Sequence, residues 1–176
     1  MKKYKLFIFD LDGVIFDTKL NMKESWRIVR KKHNLKISFK NYFSLIGSPF
    51  KIILKKLGVK KNFQTITDTY SKASKEKIAL VKVYPGAKKI INKLKKNSRV
   101  AVVTSKDFKR TKFFLNKFNL KFDFISCPKK GKKGKPYPRQ INEVLKKFSI
   151  LRKDSVYIGD MLVDLEAAKN ANIDFI

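Results

Sequence analysis

Cysteine is all but missing from this chain of 176 residues, where Cys127 stands alone. One thiol can form neither an internal disulfide nor a thiolate metal cluster. Histidine is equally scarce, and with no imidazole near it Cys127 reads as structural. The one histidine, His33, ends a helical stretch beside Asn34 and reads as a partner for the helix C-terminal dipole. Long apolar runs are also lacking: no stretch approaches the ~18 residues that a membrane span requires. The start, Met1-Lys2-Lys3-Tyr4-Lys5, has the basic character of a signal peptide. Yet Asp10 and Asp12 interrupt the apolar run Leu6–Phe9, and no small-residue cleavage site follows. A soluble, cytoplasmic protein with no membrane partner is the expectation. No internal repeat is present. Acidic residues are few, 14 against 43 Lys and Arg, for a net charge of +29. Such a surface attracts polyanions. Because the lysines are scattered along the chain, weak non-specific polyanion binding is expected rather than a dedicated nucleic-acid site.

What is present is enough apolar material for a core. Hydrophobic residues make up 43% of the chain and aromatics 12%, which excludes a wholly disordered basic tail. Short continuous apolar runs at Leu6–Phe9, Val100–Val103, Phe122–Ile125 and Ser155–Ile158 suit strands buried on both faces of a parallel sheet. Helical patterns alternate with them, roughly over 86–97, 108–118, 138–148 and 162–171. Strand alternating with helix predicts an α/β fold, a Rossmann-like doubly wound parallel sheet. Residues 18–82 break the rhythm with amphipathic helices near 21–32, 39–45, 49–57 and 63–79 and no convincing strand. They read as a small helical cap inserted after the first strand, leaving 1–17 and 83–176 as the core. Trp26 and its apolar neighbours would be the core of the cap. Pro85-Gly86 marks the return to the sheet.

Ligands of open α/β sheets bind outside the carboxyl ends of the strands, and the chemically able residues fall there. Asp10 and Asp12 leave the first strand at alternate positions, so two carboxylates converge. Such a pair needs a cation between them or a retained proton. One can then attack while the other moves a proton. Gly13 allows the sharp turn behind them. Thr104 and Ser105 follow the second strand, where hydroxyls and free backbone N–H groups can hold a phosphate or cap a helix. Lys135 is stiffened by Pro136 and Pro138 just before a helix. Asp160 lands at the last strand end with Asp164 one turn on, a hard oxygen set that suits Mg²⁺. The low-complexity stretch Lys129–Lys135 reads as a mobile basic loop.

The ordered segments Phe9-Asp10-Leu11-Asp12-Gly13-Val14, Val103-Thr104-Ser105-Lys106, Gly134-Lys135-Pro136-Tyr137-Pro138 and Ile158-Gly159-Asp160-Met161-Leu162-Val163-Asp164 resemble the four motifs of the haloacid dehalogenase superfamily. The inserted helices resemble the cap of its phosphoglycolate phosphatase and β-phosphoglucomutase branch. Leu45-Ile46-Gly47-Ser48-Pro49 resembles that branch's cap loop, which adds Gly47 to the substrate-binding residues Thr104 and Ser105. The resemblance implies a Mg²⁺-dependent phosphatase of a small phosphorylated metabolite. In it Asp10 is the covalent nucleophile, Asp12 the general acid and base, and Lys135 the charge neutraliser. Asp10, the Asp12 carbonyl and Asp160 would hold the metal, with Asp164 orienting Lys135 or metal-bound water. A phosphomutase of the same superfamily, or a basic nucleic-acid-binding protein on this fold, is the alternative. Ser105 departs from the Asn frequent in this branch. The sequence also ends at Ile173–Ile176, where relatives continue through another strand and helix.

Overall fold

The computed structural model describes residues 3–176, so Met1 and Lys2, which open the basic start and the expected core, lie outside it. Five parallel strands form the main sheet: β1 (Leu6–Phe9), β4 (Arg99–Val103), β5 (Phe124–Ser126), β6 (Ser155–Ile158) and β7 (Asp174–Phe175). Their order is β5-β4-β1-β6-β7. The chain runs outward from β1 through β4 to β5, then returns to β6 on the other side. The strand order therefore reverses at the carboxyl end of β1, the place where open α/β sheets bind ligands. Register fixes which residues meet there. Phe9 pairs with Val102 on one side and with Ile158 on the other, so the three strands end nearly level.

Burial follows the period of two that a strand requires. Val100 and Val102 of β4 face one apolar cluster with α5 (Ala87–Leu94) and α6 (Phe108–Lys117). Ala101 and Val103 face the other, with α7 (Arg139–Phe148) and α8 (Leu162–Asn170). Helices thus cover both faces, as the apolar runs predicted. α6 starts where the Asp107 carboxylate accepts the Arg110 N–H at 2.9 Å, satisfying one of the first turn's orphan donors.

A third cluster lies among α1 (Lys19–His33), α2 (Phe39–Phe43), α3 (Phe50–Lys56) and α4 (Phe63–Glu76). Trp26 is fully buried and stacks on Tyr42, with ring centroids 4.4 Å apart, and its Nε1–H donates to the Ile37 carbonyl at 3.1 Å. His33 Nε2 lies 2.8 Å from Thr69 Oγ1, which ties the end of α1 to α4.

Two features depart from the sequence expectation. Residues 18–82 are not free of strand, because β3 (Lys82–Val83) pairs antiparallel with β2 (Phe16–Asp17) where the chain leaves and rejoins the sheet. The second is β7, a fifth strand beyond the four apolar runs, whose Asp174 and Phe175 pair with Val156 and Tyr157. Both ribbons are two residues long, and pairing rather than patterning makes them.

Candidate active site

At the carboxyl end of β1 the backbone delivers Asp10, whose N–H donates to the Ile158 carbonyl at 2.9 Å and is thereby fixed against β6. Lys135 arrives from the loop before α7, immediately ahead of a cis Lys135–Pro136 peptide bond. Its Nζ donates to Asp10 Oδ1 at 3.0 Å, Asp164 Oδ1 at 2.5 Å and the Tyr157 hydroxyl at 3.2 Å. All three ammonium hydrogens are thus used. Burial alone would pull this lysine's pKa down, but Asp10, Tyr157 and Asp164 outweigh it and hold the ammonium well above its usual value. Tyr157 is itself fixed, with its hydroxyl 3.0 Å from Asp164 Oδ1 and 3.1 Å from the Val103 carbonyl oxygen.

Carboxylate oxygens of Asp10, Asp160 and Asp164 all lie within 4.8 Å of one another. Burial, with Asp164 and Asp12 nearby, raises the Asp10 pKa against the lowering pull of Lys135. Burial and Asp164 raise that of Asp160. Three acids so close stay ionised only with positive charge among them, and hard oxygen donors fit a divalent cation such as Mg²⁺. Two glycines let the acids approach. A Cβ on Gly13, whose φ is +88°, would meet Asp160 Oδ2 at 2.0 Å, and one on Gly159 would meet the Asp164 Cβ at 2.5 Å. Asp164 also accepts the Met161 N–H at 3.1 Å, so it is doubly engaged and completely buried.

Asp12 faces elsewhere. Its two oxygens sit 3.0 Å from the buried Lys106 Nζ. Burial pushes its pKa up, but the Lys106 ammonium, with Thr18 and Arg110, brings it below the usual carboxylate range. Asp12 is therefore held in its ionised form. The Thr104 hydroxyl is buried at the end of β4 and accepts the Lys106 N–H at 3.2 Å, which leaves its own proton to donate. Ser105 turns its hydroxyl away to donate to the Gly47 carbonyl at 2.5 Å, linking the α2–α3 loop to the sheet edge. Gly47 has φ +95°, and a Cβ there would lie 2.6 Å from Val163 Cγ2.

The residues singled out from the sequence thus fall into two neighbouring groups. Asp10, Lys135, Asp160 and Asp164 form one. Asp12, Ser105 and Gly47 line an adjoining cavity, with Thr104 beside them at the strand end. The sequence reading gave no role to Lys106, Arg110, Tyr42, Tyr70 or Tyr157. Lys106 follows Thr104-Ser105 directly, yet among 43 cations nothing in its letter marks it as buried. Arg110 did carry a signal, because it sits four residues before Phe114 on the apolar face of α6, where a solvated cation does not belong. Cys127 is buried, and burial pushes its thiol up to about 11, as suits a structural residue.

The acids and the buried lysine stand at the switch point of a doubly wound, Rossmann-like sheet, the ligand-binding edge of such folds. The family model described as haloacid dehalogenase-like hydrolase matches residues 7–176, and the chain belongs to that family. Among curated relatives, a protein of Caldanaerobacter subterraneus subsp. tengcongensis, provisionally named pyrophosphatase PpaX, is 27% identical over 97% of this chain and 80% of its own. The phosphorylated carbohydrates phosphatase of Thermotoga maritima is 26% identical over 95% of this chain and 81% of its own. Among solved structures, a haloacid dehalogenase-like hydrolase of Bacteroides fragilis, also provisionally named, superposes with a TM-score of 0.87. It is 23% identical and is matched over 98% of this chain and 86% of its own.

Proposed function

We propose that the protein is a Mg²⁺-dependent phosphatase of a small phosphorylated metabolite, and that residues 18–82 act as a cap that selects it. The observation that carries the reading is Asp10, held at 3.0 Å by a fully engaged, buried Lys135 with two further carboxylates beside it. In this reading an Asp10 oxygen attacks phosphorus while the ester oxygen leaves with a proton from Asp12. Water then attacks the aspartyl-phosphate, gives a proton to Asp12, and releases inorganic phosphate and the Asp10 carboxylate. Lys135 offsets the negative charge on Asp10 and on the phosphoryl group, and Thr104 donates to a phosphoryl oxygen. Asp10, the Asp12 carbonyl and Asp160 would hold Mg²⁺, which supplies Lewis-acid charge neutralisation. Asp164 keeps Lys135 in place. The first step needs Asp12 protonated, and the Lys106 pair, which lowers its proton affinity, opposes this in the resting site. The relatives' names, a carbohydrate-phosphate phosphatase and a pyrophosphatase, support a small phosphorylated substrate. A screen of phosphorylated metabolites with and without Mg²⁺ tests this. Phosphate release that requires Mg²⁺ and stops on chelation is expected, and metal-independent release would overturn the assignment.

A further inference from the structure

The buried face of α7 carries one polar residue among apolar ones, Gln140 beside Ile141, Val144 and Leu145. It is 1% exposed, and a buried amide is costly unless its hydrogen bonds are made. Its Nε2 makes two, donating to the Thr104 carbonyl at 2.9 Å and to the Ser126 carbonyl at 3.0 Å. Its Oε1 finds no donor among the described residues. Turned over, the amide would set that oxygen against two carbonyl oxygens, so its orientation is fixed and Gln140 is kept for what it donates. The register of the sheet explains the need. Val103 pairs with Ser126 in the parallel ladder of β4 and β5, and one step on the Thr104 N–H donates to the Ser126 carbonyl at 3.2 Å. The next rung of a parallel ladder would run from the N–H of residue 128 back to the Thr104 carbonyl. That residue is Pro128, which has no N–H to give. The Gln140 side chain supplies the donor that the proline lacks. Ser126 is anchored to the same helix a second time, since its hydroxyl donates to Glu143 Oε2 at 2.8 Å.

Fixing this carbonyl has a consequence on the other side of β4. The Thr104 carbonyl and the Ser105 N–H belong to one planar trans peptide and point in opposite directions. The strand order is β5-β4-β1, so a carbonyl aimed at β5 aims the Ser105 N–H toward β1, at whose end Asp10 stands. That N–H has no hydrogen-bond partner among the described residues. The Ser105 hydroxyl is already given to the Gly47 carbonyl, so the backbone N–H is the donor this residue still has to offer. A free N–H at a strand end suits a phosphoryl oxygen, and a donor held in place beforehand needs no reorganisation in the transition state.

We propose that Gln140 is a positioning residue: by holding the Thr104 carbonyl in place of the missing ladder donor, it turns the Ser105 N–H toward Asp10 as a donor to the phosphoryl group. What that donor does rests on the phosphatase reading, and inorganic phosphate in Mg²⁺ probes it without turnover. Titration calorimetry gives the affinity, and the amide spectrum of isotope-labelled protein reports Ser105 directly. In wild-type protein, phosphate should move the Ser105 amide proton downfield, as a hydrogen bond to an anion does. Gln140→Met keeps the side-chain length and removes both donors. It should shrink that shift, weaken phosphate binding about three- to tenfold and lower kcat/KM by a similar factor. Adding Pro128→Ala gives residue 128 an N–H for the same carbonyl, and should recover part of the shift and of the affinity. A purely structural glutamine would behave otherwise: Gln140→Met would lower the melting temperature and leave phosphate affinity and the Ser105 shift unchanged, which would overturn the proposal. A loss that Pro128→Ala does not recover, or a wild-type Ser105 amide that ignores phosphate, would overturn it too. If Gln140→Met does not fold, Gln140→Asn, one methylene too short to span both carbonyls, replaces it in the same comparison. Wild-type protein that hydrolyses no ester sinks the phosphatase reading, whereas the phosphate comparison alone decides the role of Gln140.

Discussion

Charge placement at single residues decides what this site can do. Asp10 is buried against Lys135, and the partly exposed Asp12 is paired with Lys106, so two carboxylates two positions apart occupy different electrostatic surroundings. Replacing Asp10 by Asn keeps the shape and removes the nucleophile. Turnover should fall at least ~10³-fold, about 4 kcal/mol in barrier, while circular dichroism and melting remain those of a folded protein. Asp12→Asn removes the proton donor instead, and its effect should depend on the leaving group. An alkyl phosphate needs that proton and should suffer far more than an aryl phosphate with a good leaving group. Equal losses on the two esters would take the acid role away from Asp12.

At the scale of elements, the ends of three strands and one loop bring the site together, and this explains which parts were legible in the sequence. Strands buried on both faces appear as unbroken apolar runs, so β1, β4 and β6 could be read directly, and the polar residues just beyond them, Asp10, Thr104 and Asp160, came with them. β7 and the β2–β3 ribbon could not be read, because a two-residue strand has no pattern and exists only through its partner. Lys106 was hidden for a different reason: the letters show charge, while burial is a property of the packed fold, and only Arg110 betrayed its burial by its place on the apolar face of α6. The loop between α2 and α3 yields a prediction of its own. Gly47 has a positive φ and no room for a Cβ beside Val163, a stiff β-branched side chain. Gly47→Ala should lower kcat/KM at least about tenfold, since ~1–3 kcal/mol of backbone strain displaces the carbonyl that Ser105 holds. Adding Val163→Ala removes the clash but not the strain and should restore part of the loss. No recovery in the double variant would show that the contact with Val163 does not set the position of the Gly47 carbonyl.

For the whole molecule, no helix among the described residues is long and apolar enough to cross a membrane, and the net charge of +29 dominates its long-range behaviour. Lys129, Lys130, Lys132 and Lys133 are exposed, whereas Lys135 in the same stretch is buried in the site. Position should therefore separate what charge alone would not. Changing the four exposed lysines to Gln should weaken binding to duplex DNA and flatten its salt dependence by up to about four in log–log slope, with hydrolysis of a small ester retained. Lys135→Ala should do the reverse. The central claim, that Asp10 carries the phosphoryl group, is tested most directly by trapping it. Wild-type protein turning over an aryl phosphate in Mg²⁺ is quenched in acid, reduced with borohydride and digested. An aspartyl-phosphate is reduced to the alcohol, so mass spectrometry should find homoserine at position 10, in proportion to turnover and absent without Mg²⁺. Steady Mg²⁺-dependent hydrolysis with an intact aspartate at position 10, or with the modification on another acid, would contradict the account.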